Sequence, residues 1–157
     1  MKYPKVILFV FMAVLLFTSA CKTFEVKNVN YAQQVESVLI PTENGNVSDS
    51  RYGIAFNILP FQYEEMKDSS SVLVDEVRLI RNQNGFYFIT ADGFNNVYVM
   101  EPINSGLKLK EKINVTEQGL ISPAFNLRSP FVQLIDTETS EVYTLNEKGV
   151  KKEESKS

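Results

Sequence analysis

The residues that most often carry out chemistry in proteins are unevenly represented in this chain. Its 157 residues include 19 Asp and Glu, no histidine, and one cysteine, Cys21. Without histidine, neither a Ser-His-Asp nor a Cys-His catalytic arrangement can be built. Most zinc and copper sites are excluded as well, because they need His or Cys ligands. Carboxylates are therefore the main remaining candidates for acid–base chemistry.

Several carboxylates could supply an acid–base pair of the kind that glycosidases use. The alternative interpretation is that they are solvated turn and edge residues, since a small β domain leaves little room for a substrate cleft. We therefore predict no catalytic residue and no enzymatic activity, with a small carboxylate-dependent hydrolase kept as an alternative. The candidates are Glu64, Glu65, Asp68, Asp75, Glu76 and Asp136.

One polar turn, Asp92–Asn96, could bind Ca²⁺ through side-chain and backbone oxygens. It lacks the alternating acidic positions and the terminal Glu of an EF-hand loop. Asx-turn hydrogen bonding explains the same residues without a metal. The sequence therefore predicts no metal and no cofactor.

Two sets of side chains in the second half of the chain are candidates for binding. Lys108, Lys110 and Lys112 alternate along one predicted strand and would share one face. That face is either a guarded edge strand or a basic stripe for an acidic partner. Tyr87 and Tyr98 are further binding candidates, and alternation favours core or cross-strand packing for both of them. The alternative is that they lie on an open face, where aromatic rings can anchor a partner.

The N-terminus has the pattern of an export signal. Lys2 and Lys5 precede an uncharged apolar run, Val6 to Phe17, which ends in the small residues Thr18-Ser19-Ala20 before Cys21. The run is shorter than the roughly 20 apolar residues that a membrane-spanning helix needs. Removal of this signal would leave about 140 residues, the size of one domain.

The segment Phe17–Cys21 resembles the lipobox of bacterial lipoproteins, with Thr18 where the family usually has Leu. The resemblance implies a lipid on Cys21, and hence a membrane partner. In the sorting rule of such lipoproteins, Lys22 after the cysteine implies the outer membrane. No acidic run of the kind that accompanies surface display follows Cys21, which implies the periplasmic side. Ordinary cleavage after Ala20, which would release a secreted protein, is the alternative.

These features divide the chain into a signal peptide (1–20), a lipid-proximal tether (21–30), a β domain (31–150) and a disordered polar tail (151–157). The whole chain carries a net charge of −3. Loss of the two signal-peptide lysines makes it more acidic still, which argues against a nucleic-acid partner. Cys21 has no second cysteine to pair with, so the domain must fold without a disulfide.

Short apolar runs separated by Gly, Asn, Asp and Ser predict the fold. They favour an all-β domain of at least seven strands, a single antiparallel meander-type sandwich or small barrel. The clearest hairpin turns at Asn82–Gly85. Helices are indicated only at Tyr31–Val38 and Gln62–Lys67. The runs are Val35–Ile40, Tyr52–Phe61, Val72–Ile80, Phe86–Thr90, Val97–Glu101, Leu107–Ile113, Phe131–Asp136 and Val142–Leu145.

One stretch also resembles a known family. Residues 75–115 run from a strand through Gly85 to Phe86-Tyr87-Phe88-Ile89, then through a polar turn to Val97-Tyr98-Val99-Met100. This order of strands and turns resembles a blade of the bacterial six-bladed propeller lipoproteins. Because a propeller needs at least four blades, the mature chain is too short for one. The resemblance therefore implies blade-like hairpins within a sandwich or barrel.

Taken together, these features predict a non-catalytic cell-envelope lipoprotein whose β domain binds a protein or polymer partner. Two alternatives remain beside it. One is a structural or assembly subunit that pairs strands with an envelope complex. The other is the carboxylate-dependent hydrolase, which a cleft with two facing carboxylates of raised pKa would favour.

Overall fold

The described part of the chain is built mainly from short antiparallel strands. The computed structural model describes residues 35–104 and 106–151, so the predicted signal peptide, tether and most of the tail lie outside the described residues. The elements are β1 (Ser37–Leu39), β2 (Asn46–Asp49), β3 (Ile54–Asn57), α1 (Leu59–Met66), β4 (Val77–Arg81), β5 (Tyr87–Ala91), β6 (Asn96–Ile103), β7 (Gly106–Asn114), β8 (Pro123–Arg128), β9 (Phe131–Asp136), β10 (Glu141–Asn146) and β11 (Gly149–Val150).

These strands form three antiparallel sheets. The central sheet has the order β1-β4-β5-β6-β7, the second sheet has the order β11-β10-β9-β8, and β2 and β3 form a separate hairpin. The all-β prediction, with at least seven strands, is confirmed. The described strands close into neither a barrel nor a propeller, so the small-barrel alternative is wrong.

Both faces of the central sheet are buried, which makes it the middle of three layers. On one face, here called the helix side, Leu79, Ile89 and Tyr98 belong to a cluster that packs under α1 and the β2–β3 hairpin. On the other, the sheet side, Phe88 and Val99 pack against residues of the second sheet. All five residues of β5 are buried because successive side chains enter opposite clusters. No helix among the described residues is long and apolar enough to cross a membrane.

The predicted hairpin at Asn82–Gly85 is confirmed. The backbone N–H of Asn82 donates to the carbonyl of Phe86 at 2.9 Å, and Gly85 N–H donates to the carbonyl of Asn82 at 3.1 Å. The side-chain Oδ1 of Asn82 accepts a further bond from Phe86 N–H at 3.0 Å. Gly85 has a φ of 89°, a conformation that side chains with a Cβ rarely adopt. This turn fixes the register of β4 on β5.

Replacement of Gly85 by valine is expected to destabilise the domain by about 1 kcal/mol or more, because a β-branched residue resists positive φ. A Cβ at this position would also lie 3.3 Å from an Nη atom of Arg81. Urea denaturation of the two proteins measures the difference. Gly85→Asn is the matched control, since Asn tolerates positive φ and should cost less. Equal losses for Val and Asn would show that backbone conformation is not the cause.

Of the two predicted helices, one is present with a different start and the other is not. The short helix expected at Gln62–Lys67 exists but begins earlier, at Leu59, with Pro60 in its first turn. Proline is favoured there because it has no N–H to leave unpaired. The apolar run Tyr52–Phe61 is therefore a strand only as far as Asn57. The helix expected at Tyr31–Val38 is wrong where it is described, because β1 begins at Ser37.

Three strands were not anticipated from the apolar runs. β2 is mostly polar in sequence, β8 begins at a proline, and β11 has only two residues. Each is specified by its neighbour rather than by its own composition: β2 pairs with β3, β8 with β9 and β11 with β10. Pairing partners of this kind are not readable from alternation within one segment.

Candidate functional site

Tyr98 is buried at the centre of the helix side, with an exposed fraction of 2%. Its ring packs edge-on against Phe61 of α1, with 4.8 Å between centroids, and against Phe94. Its hydroxyl donates to the carboxylate of Glu65. Burial and this hydrogen bond raise the pKa of the Tyr98 hydroxyl well above its usual value. Core packing of Tyr98 is therefore confirmed, and the alternative of an exposed binding residue is wrong because α1 covers this face of the sheet.

The three candidate lysines lie on the edge strand β7 but do not share a face. A β-bulge shifts the register between Val99 and Met100, so that Lys112 pairs with Tyr98 while Lys108 pairs with Glu101. Lys112 therefore projects to the helix side, where its Nζ lies 3.6 Å from a carboxylate oxygen of Glu64. Lys108 projects to the opposite side, and Lys110 lies over the ring of Phe86 at 5.1 Å. The edge-strand interpretation of these lysines is confirmed, since β7 lies at the edge of the central sheet. The alternative of a basic stripe is wrong, because a bulge inserts one residue and breaks the two-residue period.

Most of the candidate carboxylates have structural partners. Glu65 accepts hydrogen bonds from Asn95 N–H at 2.8 Å and from Asn96 Nδ2 at 2.7 Å, in addition to the Tyr98 hydroxyl. These contacts also account for the polar turn that was considered for Ca²⁺. Asp68 accepts two hydrogen bonds from Ser70, which lower the pKa of Asp68. Within the described part of the chain, no group of three or more acidic residues is arranged to hold a metal ion.

Asp136 is buried and holds the loop before β8. Its carboxylate accepts hydrogen bonds from the backbone N–H groups of Ile121 at 2.7 Å, Ser122 at 3.2 Å and Glu138 at 3.2 Å. Burial raises the pKa of Asp136, but these backbone donors more than offset it and leave the pKa below its usual value. A carboxylate held ionised in this way is a loop anchor rather than a general acid.

A small polar pocket of about 280 Å³ collects the remaining carboxylates, Asp75, Glu76 and Asp92, around Arg78. Glu76 is paired with Arg78 at 2.5 Å. One carboxylate oxygen of Asp92 is buried without a hydrogen-bond partner among the described residues. Burial raises the pKa of Asp92 above its usual value. The sequence analysis names Asp92 only as part of a possible Ca²⁺ turn and not as an acid–base candidate, because only folding brings it beside Asp75 and Glu76.

A larger concave surface is an aromatic cleft of about 670 Å³ on the helix side, more than twice the volume of the polar pocket. It lies between the β2–β3 hairpin and the β5, β6 and β7 strands. Six residues define it here: Tyr52, Phe56, Phe61, Tyr87, Met100 and Leu107. Its volume falls within the roughly 300–1,000 Å³ of typical small-ligand pockets, which are likewise lined mainly by apolar and aromatic groups. We take this cleft as the candidate functional site.

Aromatic pairs hold the two walls of the cleft together. Tyr52, which follows β2, packs edge-on against Tyr87 of the central sheet, with 5.5 Å between centroids and 81° between ring planes. Phe56 of β3 makes the same kind of contact with Phe61 of α1, at 5.9 Å. Tyr87 is only 6% exposed, which confirms core packing and makes the open-face alternative wrong for this residue too. It lines the cleft under Tyr52 instead.

Two arginines lie beside these rings. The guanidinium carbon of Arg81 lies 5.6 Å from the centroid of Tyr87, and that of Arg51 lies 5.7 Å from the centroid of Tyr52. Arg51 is engaged by the carbonyl of Glu36 at 3.1 Å and by Asp49 at 3.7 Å. Arg81 forms no ion pair with any carboxylate of residues 35–104 and 106–151; its one hydrogen bond there is a long one, 3.5 Å, to the carbonyl of Gly85.

The hydroxyl of Tyr52 is buried and has no hydrogen-bond partner in the described part of the chain. Burial raises the pKa of Tyr52 above its usual value, so the hydroxyl keeps its proton and remains a donor. Sequence reasoning missed Tyr52 because the ring on which it packs, that of Tyr87, belongs to β5, 35 positions along the chain. The only local signal was its place at the start of an apolar run.

Comparison with known proteins leaves the cleft to be interpreted on its own geometry. No protein-family model matches the chain, and neither the curated proteins nor the solved structures contain a significant match to it.

Proposed function

We propose that this protein is a non-catalytic cell-envelope lipoprotein, anchored through lipid on Cys21, whose β domain binds an apolar group of an envelope partner in the aromatic cleft. The observation that carries the binding part is the cleft itself, a concave apolar surface of about 670 Å³. The signal-like N-terminus and the single cysteine support the anchor. Outer-membrane attachment facing the periplasm remains part of the proposal on the strength of Lys22.

The two alternatives have weaker support. Strand pairing needs a long, regular free edge, but β7 carries a bulge and three lysines, β1 has three residues and β11 has two. Of the edges of the two larger sheets, this leaves β8, which has six residues and begins at a proline. Bulges and lysines are the means by which proteins discourage edge-to-edge pairing. The hydrolase alternative has in its favour the raised pKa of Asp92 in the polar pocket. In the same pocket, Glu76 forms an ion pair with Arg78. Asp75 is therefore the one other carboxylate lining this pocket that could act with Asp92.

Replacement of Cys21 by alanine is expected to abolish membrane association while leaving the fold intact, because Cys21 would carry the acyl chains and takes no part in the described strands. Cell fractionation measures the first effect, and circular dichroism of the released protein measures the second. Intact mass of the wild-type protein is the direct check. A wild-type chain without acyl mass on Cys21 would contradict the lipoprotein part of the proposal.

Binding in the cleft is tested by photocrosslinking in cells. A benzophenone amino acid replaces Ile103, which lines the cleft and is 48% exposed. The matched control replaces Val142, which is 53% exposed on β10 of the second sheet. We expect an adduct of defined mass at position 103 and not at position 142. The same adducts at both positions, or none at position 103, would reject the cleft as the binding site.

A further inference from the structure

The wall of the aromatic cleft that the β2–β3 hairpin supplies is the edge of a strand. Residues 52–56 all line the cleft, and Ile54, Ala55 and Phe56 among them are consecutive residues of β3. Because successive side chains of a strand point to opposite faces, three in a row border one cavity when it lies along the strand's edge. Within the described structure, no residue of β2 lines the cleft. The edge that borders the cleft is therefore the one that does not pair with β2.

This edge of β3 has backbone groups without partners. In an antiparallel pair, the N–H and C=O groups of alternate residues point away from the partner strand. The one strand beside β3 is β2, and among the described residues no turn or loop bonds to the backbone of Ile54–Asn57. The side chains that line the cleft are apolar apart from two tyrosine hydroxyls, of which that of Tyr52 is buried. The edge of β3 is therefore the main polar feature that an occupant of the cleft would meet.

The cleft carries no charge of its own. None of the thirteen described residues that line it is Asp, Glu, Lys or Arg. Its floor is apolar, since Tyr87, Met100 and Leu107 belong to the cluster on the helix side of the central sheet. A charged side chain that entered here would lose its hydration without meeting a counter-ion. The occupant that complements this lining is uncharged and apolar.

The free edge decides between a hydrocarbon chain and a peptide. A hydrocarbon would displace water from the N–H and C=O groups of β3 and offer no partner in return, which is costly for backbone groups. An extended peptide pairs its own backbone with the strand while alternate side chains reach the apolar floor. β3 has four residues, which is enough for one added peptide although short for the pairing of whole sheets.

From these contacts we infer that the cleft binds an extended, uncharged and apolar peptide segment of a partner protein, which adds to the free edge of β3 as a new strand. The inference rests on the proposed function, since it names the partner class of the same cleft. It goes further in requiring that the occupant pair through its backbone.

Calorimetric titration of residues 22–157 with the peptide acetyl-Lys-Thr-Val-Thr-Val-Thr-Val-Thr-Lys-amide tests the inference. This chain keeps every strand, the helix and both buried clusters, all of which lie within the described residues. The matched ligand has ester links in place of the amides between threonines and valines, so it keeps the side chains and loses the N–H groups. We expect the ester analogue to bind at least about tenfold more weakly than the peptide.

Hydrogen exchange measured by NMR locates the added strand. Binding of the peptide should slow exchange about tenfold or more at the amides of β3 that face the cleft, because they gain an acceptor. The amides of β3 that already pair with β2 are the internal control and should change little.

Two variants connect the binding with the cleft. Ile103→Glu places a charge on the lining from a position that is 48% exposed, and should weaken peptide binding about tenfold or more. Val142→Glu, at a position 53% exposed on the second sheet, is the matched control and should leave binding unchanged.

The possible failures are distinguishable. If the ester analogue binds as tightly as the peptide, or β3 gains no protection, backbone pairing is wrong while the cleft remains a binding site. If the peptide does not bind, or binds equally well to Ile103→Glu, the peptide inference is wrong, and the crosslink at position 103 still decides the proposed function. Protection of β3 that appears without peptide and rises with protein concentration would identify a second copy of this chain as the occupant, and would overturn the inference of a partner protein.

Discussion

Replacement of Glu65 by alanine is expected to destabilise the domain by about 3 kcal/mol or more. Glu65 is the shared acceptor for three donors, the hydroxyl of Tyr98, the N–H of Asn95 and the side-chain amide of Asn96. Tyr98 is 2% exposed, so water cannot readily replace the lost acceptor. A buried donor that is left unpaired carries its full desolvation free energy with nothing to offset it. That penalty exceeds the net stabilisation from one hydrogen bond. Urea denaturation monitored by circular dichroism measures the loss.

The neighbouring residue supplies a matched control. Glu64 is on the same helix, but its side chain is 56% exposed and its one ion pair, with Lys112, spans 3.6 Å. Glu64→Ala should therefore change the free energy of unfolding by about 0.5 kcal/mol or less. Tyr98→Phe should partly rescue Glu65→Ala, because it removes the unpaired hydroxyl. Equal losses for Glu64→Ala and Glu65→Ala would contradict the assignment of Glu65 as the buried acceptor.

Replacement of Phe88 by alanine is expected to cost about 3–5 kcal/mol, the range for removing a large aromatic side chain from a packed core. Phe88 is fully buried on the sheet side of β5, in the cluster that joins the central sheet to the second sheet. No polar contact compensates for the cavity, and the surrounding strands can relax only in part. The loss should be seen as a lower urea midpoint in the same unfolding experiment.

Phe131 provides the comparison at the surface. It lies in β9, partly exposed, with the Nζ of Lys151 4.6 Å from the ring centroid. Phe131→Ala should cost about 1 kcal/mol or less, since it opens no enclosed cavity. If Phe88→Ala were no worse than Phe131→Ala, the two sheets would not share a core. The three-layer arrangement would then need revision.

The parts of the fold that were predictable are those specified over a few neighbouring residues. The hairpin at Asn82–Gly85 is one, because the amide of Asn82 and the positive φ of Gly85 close the turn without distant contacts. The strands that read as apolar runs are another. The apolar run around β5 is uninterrupted because that strand is buried on both faces. The sequence therefore predicts that the strand is buried, but not which layer packs on each of its faces.

The candidate site was less predictable. Tyr87 was singled out from the sequence and does line the cleft, but for a different reason from the one expected, since Tyr52 packs on it rather than leaving it open. Tyr52 and Arg81 were not singled out at all. In the sequence, these two residues belong to separate strand regions, and no local pattern links one to the other. Their proximity depends on how the β2–β3 hairpin docks on the central sheet.

The lysines of β7 show the same division within a single strand. Alternation of Lys108, Lys110 and Lys112 predicted one face, and it would have held for a regular strand. The bulge opposite Val99 and Met100 arises from the pairing of β7 with β6. The sequence of β7 alone therefore does not predict it. One inserted residue was enough to send Lys112 to the helix side and Lys108 to the other.

By itself, then, the sequence determined the all-β class, most of the strands, the Asn82–Gly85 turn and the absence of histidine chemistry, because composition, period and turn residues act over short distances. Only the tertiary structure decided which faces are covered, that α1 buries Tyr98, and that Tyr52 packs on Tyr87 in the cleft. Those outcomes depend on contacts between residues far apart in the chain, and packing energy of that kind is a property of the assembled layers rather than of any one segment.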